Sequence, residues 1–326
     1  MRRTPLVALP CLVLSAALAL AGCSDSSQTS SSASASQAAA QATATAVDCS
    51  TQTIETDSAA LPEVSGDPGT QPSLTWSGQE APSALTVKTL TQGTGTVIEG
   101  QNATVAVSYS GWQWDASEPF DSSYSRGRPT VFALNSVIPG WTCGLAGHAE
   151  GDRLLMSIPA DLAYGDDETT GQPTGTLVFV VEIGGVYTSD SVAQATKDAT
   201  MEGEQALADR GITLSGELGA APTISVNSGA AEPTSVEVIV VARGTGTPVA
   251  ADSTLVTHMA YSPWDNSEPQ SSWDIEEVQP VDMTQATGLE GLVGVPAGSR
   301  VVLLQPANAT TGSPATAWVM DIGAVI

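Results

Sequence analysis

The chain has 326 residues, enough for roughly two domains of ordinary size. Its formal net charge is −25, from 10 Lys and Arg against 35 Asp and Glu. Because no stretch concentrates basic residues, the composition argues against a nucleic-acid-binding protein and is typical of a solvated acidic surface.

The first 23 residues have the pattern of a targeting segment. Arg2 and Arg3 give a positive start, and residues 6–20 form an apolar core shorter than the roughly 20 residues of a membrane-spanning helix. The segment ends in LAGC at 20–23, which resembles a bacterial lipobox. The resemblance implies cleavage before Cys23, its acylation by fatty acids such as palmitate, and a lipoprotein anchored on the extracytoplasmic side of the cell membrane. An ordinary secretory signal peptide is the alternative.

Residues 24–48 are rich in Ser, Ala, Gln and Thr, which predicts a disordered tether. Four cysteines are present. Cys11 leaves with the signal peptide and Cys23 carries lipid, so Cys49 and Cys143 remain in an oxidising compartment. Two alternatives stay open: these two cysteines form a disulfide between tether and folded part, or one is a buried thiol and the other an exposed one.

Four short segments rich in β-branched residues and bounded by Gly, Pro and Asp predict strands. They are residues 85–90, 104–109, 153–158 and 176–183. The helix predicted in this region follows Pro139, and one helix lying across an antiparallel sheet is the simplest cover for its apolar face. Residues 189–210 have helical spacing and predict a linker helix that ends at Gly211.

A repeat with a period near 150 residues runs through the chain. Its ordered matches are 64–96 with 214–247, WDASEP at 114–119 with WDNSEP at 264–269, and TLVFVVEIGGVY with ATAWVMDIGAVI. GLAGHAEGDR at 144–153 also returns as GLVGVPAGSR at 291–300, with five of ten positions identical. These matches predict two homologous domains of one fold.

Residues 105–164 hold five motifs that set this stretch apart. In chain order they are Tyr109-Ser110-Gly111, Phe120-Asp121-Ser122-Ser123, Val137-Ile138-Pro139-Gly140-Trp141, Gly151-Asp152-Arg153 and Ala163-Tyr164-Gly165. In order and spacing they resemble the hallmarks of the FKBP-type peptidyl-prolyl cis-trans isomerases. The resemblance implies an α+β protein of two tandem FKBP-like domains, each a twisted antiparallel sheet wrapped around one short helix.

The resemblance and the repeat together predict five segments. They are a signal peptide at 1–23, the tether at 24–48, an isomerase domain at 62–187, the linker helix at 188–211 and a degenerate FKBP-like domain at 212–326.

The implied reaction, rotation about an X-Pro bond, crosses a barrier of about 18–20 kcal/mol because rotation breaks amide conjugation. The twisted amide has less charge separation than the planar one, so an apolar cleft favours it. Such a site needs an aromatic box for the proline ring and a few fixed donors. It needs no cofactor, metal or nucleophile.

The resemblance assigns the members of this cleft. It gives catalytic roles to Asp121, Tyr164, Trp141 and Phe120, and substrate-binding roles to Tyr109, Arg126, Val137, Ile138 and Phe179. Trp141 is expected beneath the proline ring, and the Tyr164 hydroxyl and Ile138 amide as donors to substrate carbonyls. Asp121 is expected near the rotating carbonyl, and Arg126 is expected to orient it.

The stretch departs from the family pattern in two places. Thr130 stands where the family has an aromatic residue, so one wall of the cleft is expected to be thinner. The loop after Tyr164 is acidic and lacks the family's apolar pair.

The second repeat lacks most of the cleft. The sequence alignment places Gln270 opposite Phe120 and Gly288 opposite Trp141. The position of Asp121 is either deleted in the second repeat or occupied by Ser271. The second repeat retains Tyr261, and Trp318 in place of Phe179. We therefore expect residues 212–326 to be inactive and to have a structural or protein-binding role.

The predicted function is prolyl isomerisation in secreted or surface proteins. The predicted ligands are proline-containing peptide segments and macrolides, with no nucleic acid, and the membrane contact is through the lipid anchor. Two alternatives remain: a chaperone or scaffold that binds unfolded chains without catalysis, and a ligand-binding lipoprotein.

Overall fold

The computed structural model describes residues 47–326. The predicted signal peptide, the acylation site Cys23 and nearly all of the tether lie outside the described residues. In the part of the chain that is described, no helix is long and apolar enough to cross a membrane. We call residues 47–187 the first half and residues 188–326 the second half.

The first half contains nine strands. They are β1 (Ile54–Glu55), β2 (Glu63–Ser65), β3 (Ser73–Thr75), β4 (Leu85–Thr91), β5 (Thr104–Gln113), β6 (Asp121–Ser122), β7 (Thr130–Ala133), β8 (Arg153–Ile158) and β9 (Leu177–Tyr187). Seven of them form a sheet in the order β1-β4-β8-β9-β5-β6, with β7 also paired to β5, while β2 and β3 form a separate hairpin. The four predicted strands are confirmed as β4, β5, β8 and β9.

This half differs from the prediction at its amino-terminal side. Strand β1 pairs with β4 in parallel, so the sheet is mixed rather than purely antiparallel. Residues before the predicted boundary at 62 therefore belong to the sheet. Leu61 is buried with Trp112 on one face of it, and the Gln101 side chain donates to the carbonyl of Val47 at 2.7 Å.

The helix α1 (Pro139–Leu145) covers the other face of the first sheet, as predicted. Proline at its first turn suits a helix start, because the missing N–H has no partner there anyway. Glycines at 140 and 144 lie one turn apart, and a Cβ on them would be only 2.2 Å from Ile158 and 2.4 Å from Met156. The two glycines thus let α1 press directly onto β8.

The second half has a sheet with the same strand arrangement. Its strands are β10 (Thr200–Met201), β11 (Ile212–Ser215), β12 (Thr223–Val226), β13 (Glu237–Arg243), β14 (Thr254–Pro263), β15 (Gln270–Ser271), β16 (Gln279–Asp282), β17 (Arg300–Gln305) and β18 (Thr316–Val325). The order is β10-β13-β17-β18-β14-β15, with β16 paired to β14, and β11 and β12 form a hairpin.

Two helical predictions for this half are wrong. A 3-10 turn at Glu290–Leu292 stands where a sheet-covering helix was expected, and Gly288 just before it has a left-handed φ of 81° that a right-handed helix cannot include. The predicted linker helix is two helices, α2 (Ser189–Thr196) and α3 (Glu204–Asp209). Between them β10 pairs with β13, so edge pairing replaces helix. Gly211, with a φ of 70°, does follow the end of α3.

The two halves are in contact through strands near β7 and β16. Side chains from both halves share one apolar cluster: Ala106, Val131, Val192, Val256 and Val278. The Thr104 hydroxyl donates to the carbonyl of Val278 at 2.6 Å, and the Asn102 amide donates to the carbonyl of Ile275 at 3.2 Å. The two halves of the described residues 47–326 therefore belong to one compact unit.

Candidate active site

An apolar pocket opens between helix α1, strand β5 and the loops at the ends of β6 and β8. Its lining residues are Tyr109, Phe120, Asp121, Phe132, Val137, Ile138, Trp141, Tyr164 and Phe179. Phe120 and Tyr164 are half-buried, whereas Trp141 is only 4% exposed. The pocket therefore has a sealed aromatic base and a more open rim.

Trp141 is the centre of that base. Its ring meets Tyr109, Phe132 and Phe179 edge to face, with ring centroids 5.3, 5.4 and 5.3 Å away. Edge-to-face contacts of this kind are the favoured geometry for aromatic pairs. The position of Trp141 follows from α1, whose close approach to β8 fixes the depth of the ring.

Glycine at 111 is what allows two of the phenylalanines to meet at the rim. A Cβ at this position would be 2.5 Å from the Phe179 ring and 2.9 Å from the Phe120 ring. The two rings pack edge to face with centroids 5.7 Å apart. A larger residue at 111 would push both of them out of the pocket wall.

The one carboxylate of the pocket is held by two partners. Asp121 accepts a short hydrogen bond from the Tyr109 hydroxyl. It also forms an ion pair with Arg126, whose Nη1 lies 2.6 Å from Asp121 Oδ1. Arg126 Nη2 also donates to the Tyr109 hydroxyl and to Thr130 Oγ1, both at 3.1 Å. The side chain of Asp121 is 8% exposed, and a buried carboxylate needs such partners. The network fixes its orientation before any ligand enters.

Both tyrosines stay protonated at neutral pH. Burial raises the pKa of Tyr164 to about 12, helped by the negative charge of Asp121. Burial and the same carboxylate also raise the pKa of Tyr109. Each phenol therefore remains a hydrogen-bond donor, Tyr109 toward Asp121 and Tyr164 at the rim.

The structure brings together all nine residues that the resemblance assigned to the site. Eight of them line the pocket, and Arg126 stands behind Asp121. Sequence reasoning missed Phe132, which lines the pocket, is 7% exposed and packs edge to face against Trp141. It also missed Ser123, whose hydroxyl accepts from the Tyr109 amide at 2.8 Å. Thr130, expected to thin one wall, accepts a hydrogen bond from Arg126.

Cys49 and Cys143 are joined by a disulfide. Cys143 lies in α1 two residues after Trp141 and is 1% exposed. The bond therefore attaches the start of the described chain to the helix that carries the base of the pocket.

Strand register corrects the predicted equivalences in the second half. Gly111 pairs with Phe179 and Asp121, and Tyr261 pairs with Trp318 and Gln270. Tyr261 therefore occupies the position of Gly111, and Gln270 that of Asp121.

The same register places Met259 at the position of Tyr109, because each donates its amide to a serine hydroxyl of the adjoining turn, Ser272 and Ser123 respectively. The Tyr261 ring packs against Trp318 in a tilted arrangement, with centroids 4.6 Å apart, so the second half has a large side chain where the first half has none.

The first half matches known proteins. Residues 93–184 match the family described as FKBP-type peptidyl-prolyl cis-trans isomerase. A protein of Streptomyces anulatus named FK506-binding protein is 38% identical over 118 residues, which cover 35% of this chain and 94% of that protein. The isomerase FkpA of Escherichia coli is 48% identical over 81 residues, which cover 24% of this chain and 30% of FkpA.

The crystal structure of Escherichia coli FkpA aligns with 38% identity, a TM-score of 0.29, and coverage of 34% of this chain and 52% of that chain. The chain thus spans nearly all of the Streptomyces protein but under a third of the FkpA sequence. On its motifs, its pocket and these sequence matches, the chain belongs to the FKBP-type peptidyl-prolyl cis-trans isomerases.

Proposed function

We propose that the pocket of the first half accelerates rotation about X-Pro bonds in proteins outside the cytoplasm. The observation that carries this proposal is the sealed aromatic base around Trp141 with the oriented carboxylate of Asp121 at its side. No group of three His, Cys, Asp or Glu side chains within residues 47–326 could hold a metal ion.

The chemistry requires only selective binding of the twisted amide. A proline ring on Trp141 places the preceding carbonyl in an apolar environment, where the less polar twisted state is favoured over the planar one. The Tyr164 hydroxyl and the Ile138 amide hold neighbouring carbonyls of the peptide. The negative end of Asp121 faces the rotating unit, and Tyr109 and Arg126 keep it from turning away.

We further propose that the second half is a degenerate copy of the same domain. The shared strand order supports this, as does an ion pair at the same register in both sheets, Arg153 with Glu182 and Arg300 with Asp321. With Gln270 in place of the carboxylate and Tyr261 in place of Gly111, this copy has neither the charge nor the space for the reaction.

We propose that the protein is held at the outer side of the cell membrane by lipid on Cys23. The support is the sequence pattern at 1–23. Mass spectrometry of the purified amino-terminal peptide should show acyl chains on Cys23, and Cys23→Ser should move the protein from the membrane to the soluble fraction. An unmodified peptide beginning elsewhere would contradict this assignment.

The isomerase proposal predicts that the full-length protein shortens the cis-to-trans relaxation of an X-Pro peptide. Asp121→Asn should lower kcat/KM about tenfold, since an amide cannot pair with Arg126 as a carboxylate does and turns a donor toward it. Relaxation of a chromogenic tetrapeptide measures both proteins.

The control is Asp274→Asn, which changes an exposed carboxylate in the corresponding turn of the second half and should leave kcat/KM unchanged. FK506, the ligand in the name of the Streptomyces protein, should compete with the peptide. A wild-type protein that leaves the relaxation rate at its uncatalysed value while preventing aggregation of an unfolded client would instead support the scaffold alternative.

A further inference from the structure

The segment that carries Arg126 is a short loop between β6 and β7, anchored to β5 at Ser123, whose amide donates to the carbonyl of Tyr109 at 2.9 Å. It is a 3-10 turn at Tyr124–Arg126, followed by Gly127 with a left-handed φ of 70° and then by β7. Arg126 points from this loop into the pocket network, where it contacts Asp121 and Tyr109. The placement of the carboxylate therefore depends on where this loop lies.

The second half holds the same loop from the other side. Arg128 Nη1 makes a short hydrogen bond to the carbonyl of Asp252, and Arg128 Nη2 lies 3.3 Å from Asp282 Oδ2. Asp282 is the last residue of β16, the strand beside β7. One guanidinium thus ties the loop both to the backbone and to a carboxylate of the second half.

The contact is part of a reciprocal pattern. Asn102 and Asp252 occupy the same position in the two repeats. The carbonyl of the next residue, Ala103 or Ser253, accepts a hydrogen bond from the amide of the residue just after β7 or β16, Leu134 or Met283. Asn102 reaches the turn of the second half at Ile275, and Asp252 receives the turn of the first half at Arg128. Each half therefore supports the other's turn, as in a two-fold symmetric dimer.

The two supported turns are not equivalent in chemistry. In the first half the turn carries Arg126, which completes the pocket network. In the second half the corresponding turn ends at Ile275, followed by Glu276 with a left-handed φ of 52°. Of the two reciprocal contacts, therefore, only the one that the second half makes with the turn of the first half bears on catalysis.

We propose that Arg128 is a positioning residue through which the inactive second half sets the orientation of Arg126, and so of Asp121, in the active one. This inference rests on the proposed isomerase function. It gives the second half a defined task in the reaction rather than a separate binding function.

Loss of Arg128 should move the loop without unfolding the protein. The side chains of Arg128 and Asp282 are 37% and 35% exposed, and ion pairs of that exposure stabilise a fold only slightly. A small displacement of a positioned group can nevertheless cost a large factor in rate. We expect Arg128→Ala to lower kcat about tenfold with KM unchanged, since orientation matters most in the transition state.

A double-mutant cycle tests whether Arg128 acts through Arg126. The full-length wild type, Arg128→Ala, Arg126→Ala and the double variant are compared in the peptide assay. If the inference holds, Arg128→Ala costs about tenfold in the wild-type background and less than about twofold when Arg126 is already alanine. Arg243→Ala is the matched control, because it breaks an exposed ion pair to Glu202 beside the edge strand β10 of the second half and should leave kcat unchanged.

The outcomes separate the two proposals. An inactive wild type contradicts the proposed function itself. An active wild type with Arg128→Ala at full rate overturns the positioning role, and so does a tenfold loss that persists in the Arg126→Ala background, because the effect then does not pass through Arg126. Arg128→Lys, which retains a donor and the charge, should recover part of the rate.

Discussion

Trp141→Ala is expected to lower kcat/KM at least about a hundredfold and to destabilise the protein by about 3–5 kcal/mol. The indole is 4% exposed and contacts three other rings, so its removal leaves a cavity where the proline ring should rest. Without Trp141 at the base of the pocket, the remaining rings cannot enclose the twisted amide. Peptide relaxation gives the rate, and urea unfolding gives the free energy.

Trp112→Ala is the matched control for this change. Trp112 is 2% exposed but lies on the opposite face of the first sheet, with Leu61 and Leu155. Its loss should destabilise the protein by a similar amount while kcat/KM, measured where both variants are folded, stays near the wild-type value. Equal losses of kcat/KM in the two variants would show that Trp141 acts only through stability.

Removal of the disulfide is expected to cost about 4–5 kcal/mol of unfolding free energy. Cys49 and Cys143 are separated by 94 residues, so the disulfide closes a long loop in the unfolded chain. Without the bond the unfolded chain gains much conformational entropy, which favours unfolding. The variant with both cysteines changed to alanine should unfold at a much lower urea concentration than the oxidised wild type. Reductant should lower the wild-type midpoint toward that of the variant and leave the variant unchanged.

A difference below about 1 kcal/mol between oxidised wild type and variant would contradict this expectation. It would indicate that the segment at 49–61 is fixed by other contacts, such as β1 pairing with β4, even when the bond is open.

The first half could be predicted in large part from sequence because its signals are local. Alternating β-branched residues mark β4, β5, β8 and β9, and Pro139 marks the start of α1. The pocket members were found through motif order. Phe132 was missed because its role depends on β7 pairing with β5, which brings it opposite Val105 and against Trp141.

The structure of the second half is harder to predict from sequence, because strand pairing decides it more than local secondary-structure propensity does. Residues 189–210 have helical spacing, yet Thr200 and Met201 leave the helix to pair with Arg243 and Ala242 at a sheet edge. The alignment leaves open whether a residue is deleted next to Gln270, and only strand pairing shows that Gln270 stands at the position of Asp121. Cross-strand hydrogen bonds fix such a register, and the linear sequence does not show them.

The reciprocal contact between the halves also has a consequence for concentration. In a dimer of separate chains, support of one subunit's turn by the other would be lost on dilution, as the partners dissociate. Here both partners are in one chain, so each is present at a high effective concentration to the other however few molecules there are. A sparsely distributed protein would thus keep the supported form of the Arg126 loop at any abundance.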